Sequence, residues 1–127
     1  MKTAVTAQQP SLDSPVDPRF GRCAFFVIVE TDDMSFEAVD NANAALSGGA
    51  GIQSAMSLSD KGVQCVLTGN CGPNAYQTLS ASGIEVITGC EGSVREAVEQ
   101  FKQGTHTPAR EANVPDHFGS GGGQGGG

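Results

Sequence analysis

Short apolar runs alternate with turn-rich stretches along this chain, and the spacing of the apolar positions changes partway through. Residues 2–8, KTAVTAQ, alternate and favour small and β-branched side chains, which predicts a strand. Residues 9–22, QPSLDSPVDPRFGR, hold Pro10, Pro15 and Pro18 with Asp13 and Asp17 between them, and predict a long loop. Residues 23–30, CAFFVIVE, form an almost unbroken apolar run, as in a strand covered on both faces. After the turn TDDM, residues 35–41, SFEAVDN, alternate imperfectly and predict a third, shorter strand. Together the three predict an antiparallel meander.

The pattern then switches. Residues 41–53, NANAALSGGAGIQ, are small, polar and glycine-rich, with a helix expected to start near Ala50 or Gly51. Its apolar face is weak, made of Ile52, Ala55, Met56 and Ser59, and Gly62 ends it. VQCVLTG (63–69) predicts a buried strand. PNAYQTLSASG (73–83) predicts a helix with Pro73 in its first turn and Gly83 just past its end. IEVIT (84–88) predicts a strand. SVREAVEQFKQG (93–104) is the clearest helix: Ser93 and Glu96 have capping-box spacing, and Val94, Ala97, Val98 and Phe101 share one face.

The element order β-β-β-α-β-α-β-α belongs to the α/β class. Strands separated by helices run parallel, and right-handed crossovers place them. The expected result is a mixed five-stranded sheet in the order 3-2-1-4-5, strand 2 antiparallel, with flanking helices. Residues 1–105 are expected to form one domain. The glycine-rich tail 106–127 is too polar to fold and is expected to be disordered.

This topology gathers the odd loops. Loops 9–22, 41–51, 69–73 and 88–93 all fall on the carboxyl edge of the parallel strands. Ligands of open α/β sheets bind there, where the strand order reverses, in this case between strands 1 and 4. DPRFGR, SGGAG and GNCGP should therefore surround one crevice.

Charge narrows the ligand. The 127 residues carry 14 acidic and 7 basic side chains, a net charge of −7, and the basic ones are scattered. No basic stripe exists to neutralise nucleic-acid phosphates or a membrane surface, so neither partner is expected. No apolar run approaches the ~18 residues of a membrane span, and MKTAVTAQQP reads as a strand rather than a leader, so a cytoplasmic protein is expected.

Four cysteines, Cys23, Cys65, Cys71 and Cys90, lack C-x-x-C spacing, and in a reducing compartment they stay as free thiols. Cys65 falls inside strand 4 and reads as core. Cys23, Cys71 and Cys90 fall on the loop edge, where they serve either as small loop residues or as soft ligands of a thiophilic metal. Cys71 and Cys90 precede helix starts, which favour a thiolate.

The glycine loops before helices expose backbone N–H groups that suit an anion. Neither loop is followed by the lysine of a P-loop. Cys71 as a nucleophile needs a nearby histidine, and the chain has only His106 and His117, in the tail. Arg19 and Arg22 read either as surface charges paired with Asp13 or Asp17, or as an anion clamp. Asp13, Asp17 and Asp40 read as turn residues, or, if they converge, as the acids of a divalent-metal hydrolase or nuclease.

SPVDPRFGRCAFFVIVE, followed by NANAALSGGAGIQSAMSLSDKGVQCVLTGNCGPNAYQTLSASGIEVI, closely resembles the dinitrogenase iron–molybdenum cofactor biosynthesis family. That family includes NifX-like carriers, the C-terminal domain of NifB and the small molybdenum–copper orange protein. The likeness covers roughly residues 2–104 and rests on D-x-R-F-G-R, G-x-G before a helix, and G-x-x-G-P-N-A in combination. It implies a ribonuclease H-like sheet and a non-enzymatic role, binding or carrying an anionic Fe–S, Mo–Fe–S or Mo–Cu–S cluster toward other cofactor-assembly proteins. Such a chain is expected as a monomer or weak dimer. The positions carried over are Asp17, Arg19, Phe20, Gly21 and Arg22, then Gly49 and Gly51, then Gly69, Gly72, Pro73 and Asn74. Asn70, within the third loop, joins them as a candidate cofactor contact, and Cys71, Cys90 and Cys23, by their place on the loop edge, remain the candidate metal contacts. A regulatory partner-binding domain without a ligand is the further alternative.

Overall fold

A computed structural model describes residues 1–42 and 49–104. Residues 43–48 of the glycine-rich stretch, and the expected disordered tail with His106 and His117, lie outside the described residues. The elements are β1 (Lys2–Ala7), β2 (Phe25–Glu30), β3 (Phe36–Asp40), α1 (Ala50–Asp60), β4 (Cys65–Leu67), α2 (Pro73–Ala81), β5 (Glu85–Ile87) and α3 (Val94–Lys102).

The sheet has the order β3-β2-β1-β4-β5, as the alternation of elements predicts. β1 pairs antiparallel with β2 and parallel with β4; β2 pairs antiparallel with β3, and β4 parallel with β5. β1 is thus central, and its side chains alternate between two cores. Ala4 faces a cluster with Phe26, Ile28, Val66, Val86 and residues of α1 and α2. Val5 and Ala7 face the other, with Val27, Leu67 and Val94 and Val98 of α3.

Three local expectations shift. β2 begins at Phe25 rather than Cys23, because the Gly21 and Cys23 carbonyls bond the side chain of Asn41 instead of a neighbouring strand. β4 ends at Leu67; Thr68 stays buried at the edge, its N–H donating to the Ile87 carbonyl and its carbonyl accepting from the Cys90 N–H. The buried face of α1 is Ala50, Ser54, Ala55 and Leu58, while Met56 is 50% exposed. The apolar pattern missed Ser54, which is buried because its hydroxyl donates to the Asn41 side-chain oxygen. α3 forms as its sequence dictates: Ser93 Oγ accepts the Glu96 N–H and the Glu96 carboxylate accepts the Ser93 N–H.

Candidate functional site

The reversal point between β1 and β4 is closed by the chain itself. The Asp17 N–H donates to the Thr6 carbonyl (2.8 Å), and the Thr6 hydroxyl donates back to the Asp17 carbonyl (2.7 Å). Thr6 Oγ1 also lies 2.9 Å from Thr68 Oγ1, so the ends of both strands and the first loop meet in one buried polar knot. The open crevice expected between strands 1 and 4 is filled by residues 16–20. Phe20 is buried beside Phe26, their ring centres 5.5 Å apart. Sequence reasoning read both threonines only as β-branched strand residues, and nothing in their spacing signals a shared hydrogen bond.

The three motif loops do come together, and glycine is what lets them. A β-carbon on Gly69 would stand 2.7 Å from the Pro18 Cα. One on Gly21, whose φ of +80° already disfavours other residues, would stand 3.0 Å from the Gly51 Cα. One on Gly51 would stand 3.0 Å from the Ala75 Cβ. Backbone bonds tie the same segments: Asn70 N–H to Pro18 O (2.8 Å) and Phe20 N–H to Asn70 O (3.1 Å). The Asn70 side-chain amide adds a second donor to Pro18 O.

This contact joins two helix starts. α1 begins at Gly49 and α2 at Gly72, neither has a side-chain cap, and neither carries an acid in its first turn. The opening N–H groups of a helix have no partner within it and carry partial positive charge. Pro73 occupies the first position of α2, where a missing N–H costs nothing. Asn74 is exposed. Arg19 and Arg22 are exposed on the first loop. The buried Asp17 carboxylate accepts from the Arg19 N–H (2.9 Å) and from Arg19 Nε (3.3 Å), which orients that side chain while leaving it 64% exposed.

The cysteines are not arranged as a ligand set. Cys23 and Cys71 lie in the α1–α2 core, Cys65 and Cys90 in the α3 core, and all four are buried. Burial, with the Asp17 charge adding to it, pushes the Cys23 thiol up to about 12. Burial alone pushes Cys71 up to about 12, and burial, partly offset by a hydrogen bond with the Thr68 backbone, pushes Cys90 up to about 11. Their neutral form is favoured, the reverse of the thiolate expected at helix starts, because desolvation outweighs the helix ends. Among the described residues no three His, Cys, Asp or Glu side chains group as a metal site. Asp13 pairs instead with Arg95 (3.6 Å), Asp17 with Arg19, and Asp40 ends the outer strand β3, so the acids of a hydrolase are not assembled. A groove of about 480 Å³ on the α3 side of the edge includes Asp13, Pro18, Cys90 and Glu91 in its lining, and its carboxylates repel an anion.

The arrangement belongs to a known class. A family model described as "Dinitrogenase iron-molybdenum cofactor" matches residues 1–104, and the chain belongs to that family. It is similar in structure to the apo form of the orange protein from Desulfovibrio gigas, with 47% identity and a TM-score of 0.86, covering 88% of this chain and 95% of that one. A NifB-like protein from Thermotoga matches with 33% identity and a TM-score of 0.71, covering 84% and 91%. An uncharacterized protein of Methanocaldococcus jannaschii is 31% identical over 98 residues, 75% of this chain and 83% of its own length. Among the described residues no helix is long and apolar enough to cross a membrane.

Proposed function

We propose that this chain is a non-enzymatic carrier of an anionic metal–sulfur cluster, a precursor of the iron–molybdenum cofactor or a related Mo, Fe or Cu species. The observation that carries this reading is the glycine-joined junction of two uncapped helix starts beside Arg19 and Arg22 in a chain of net charge −7. Local positive features collected at one place in an acidic protein select a compact anion over a polyanionic strand. Membership of the cofactor family and the likeness to the orange protein support the same cargo class.

In this reading Asp17 holds Arg19, Phe20 anchors the first loop, and the backbone around Gly21, Gly49, Gly51, Gly69, Asn70, Gly72, Pro73 and Asn74 forms the wall. Charge is held by N–H and guanidinium donors. Cys71 and Cys23 lie on the α1–α2 face of the sheet and are the cysteines able to give soft contacts, whereas Cys90 lies on the opposite face. The cargo passes to or from other cofactor-assembly proteins in the cytoplasm, with the carrier acting as a monomer or weak dimer.

A second reading is a regulatory partner-binding domain without a ligand, favoured by the filled reversal point and the buried cysteines. Anaerobic reconstitution separates the two. Molybdate, iron or copper is added with sulfide, the protein is desalted, and metal content and visible charge-transfer bands are read on wild type and Cys71→Ser. Stoichiometric metal retained by wild type supports the carrier, and its loss from Cys71→Ser makes Cys71 a ligand. No retained metal in any combination leaves the ligand-free domain.

A further inference from the structure

β3 is exposed along most of its length, yet Asn41, directly after it, is buried. Its side-chain amide is fully employed. Nδ2 donates to the Gly21 carbonyl (3.1 Å) and to the Cys23 carbonyl (2.9 Å), and Oδ1 accepts from Ser54 Oγ in α1 (3.0 Å). The backbone N–H of Asn41 donates to the Ala24 carbonyl (2.9 Å), continuing the pairing with the strand that follows the first loop.

The two carbonyls taken by Nδ2 belong to the residues on either side of Arg22. The turn there is tight: Gly21 has a left-handed φ of +80°, and the Arg22 N–H closes back on the Phe20 carbonyl. The Gly21 carbonyl lies in the peptide plane before Arg22, and the Cys23 carbonyl in the plane one residue beyond the Arg22–Cys23 peptide; holding both pins the short segment that carries Arg22 at its two ends and limits the directions its side chain can take. The third bond reaches Ser54, in the second turn of the helix that starts at Gly49. One amide thereby spans the arginine turn and the helix whose N–H groups form the adjoining wall.

We propose that Asn41 is a positioning residue of the anion site, setting Arg22 against the start of α1. The inference rests on the carrier reading above and adds to it the first residue of the second loop, outside the motif positions themselves. Asn is suited to the task because it supplies two donors and an acceptor from a short, rigid stem. An aspartate would place a carboxylate against two carbonyls, and an aliphatic residue would leave both carbonyls and the Ser54 hydroxyl without partners in the core.

The test is a double-variant cycle. Tetrathiomolybdate with copper(I) is titrated anaerobically into wild type, Asn41→Ser, Arg22→Gln and the combined variant, following the charge-transfer band. Asn41→Ser is expected to weaken binding about tenfold in the wild-type background and less than about twofold beside Arg22→Gln, because residues acting through one another are not additive. An equal loss in both backgrounds, or none in either, overturns the inference. Ser54→Ala keeps the carbonyl clamp and removes the tie to α1; it is expected to weaken binding less, in the same direction, and serves if Asn41→Ser does not fold.

Amide hydrogen exchange on the cargo-free protein gives a readout independent of binding. Asn41→Ser is expected to speed exchange at the Arg22 and Gln53 amides together, while Leu67 in β4 keeps its protection. A uniform change, or no change, overturns the inference. A wild type that binds no probe overturns the carrier reading instead, and exchange alone then decides whether Asn41 couples the turn to the helix.

Discussion

Gly69 lies against Pro18 so closely that a β-carbon on the glycine would stand 2.7 Å from the proline Cα and 3.0 Å from its carbonyl oxygen. Both obstacles are backbone, tied by the Asn70 N–H and side-chain amide to the same carbonyl, so neither can swing aside. Gly69→Ala is expected to cost about 1–3 kcal/mol, the range for forcing atoms into a packed site. Thermal unfolding should show a fall of roughly 4–8 °C per kcal/mol. An unchanged melting temperature would show that the two loops are free to separate.

Asn74→Asp tests the helix-start electrostatics with a change of almost no volume. Asn74 is exposed in the first turn of α2, which carries no acid. A carboxylate there complements the helix dipole and is expected to stabilise the fold by about 0.3–1 kcal/mol. The same charge opposes an anionic cargo, so metal retention after anaerobic reconstitution should fall. Melting temperature and metal content moving in opposite directions is the expected result; both rising would refute an anion at this edge.

The buried thiols predict a loss of stability in alkali. Cys23, Cys65 and Cys71 are raised from 9.0 to about 12, and Cys90 to about 11, by burial. Between those values the unfolded chain has released thiol protons that the folded chain still holds. Stability from this source is whole below pH 9 and declines as pH rises toward 12. Urea midpoints taken near neutral pH and at about pH 10.5 should differ more for wild type than for Cys71→Ala.

Thr3 is the orphan of the sheet. Its side chain is wholly buried in β1, and among the described residues its hydroxyl is the buried side-chain polar atom with no hydrogen-bond partner. Thr3→Val keeps the shape and removes the unmet polar group, and is expected to stabilise by about 1 kcal/mol. Chemical denaturation measures it, and a destabilised variant would mean that the hydroxyl has a partner in solution.

Elements and topology were legible because they follow from period and punctuation. The unbroken CAFFVIVE, the Pro73 and Gly83 brackets and the Ser93–Glu96 box each state a local rule, and the structure obeys them. The motif loops were legible as neighbours because strand order alone puts them on one edge. What period could not show was the contact chemistry. The Thr6–Thr68–Asp17 knot and the Asn41–Ser54 bond join residues far apart in sequence, through polar groups that look like ordinary strand and helix positions. The charge state of Cys71 was misread because a helix start is a local feature, whereas desolvation depends on everything packed around the thiol.

The contacts from Gly21 to Gly51 and from Gly69 to Pro18 set main chain against main chain where the three loops meet. Main chain has no rotamers to exchange. Such a junction cannot reshape itself in the way a lining of long side chains does. On the carrier reading, preference for one cargo over another would be retuned at the exposed positions Arg19, Arg22 and Asn74, where a new charge or donor leaves the junction undisturbed.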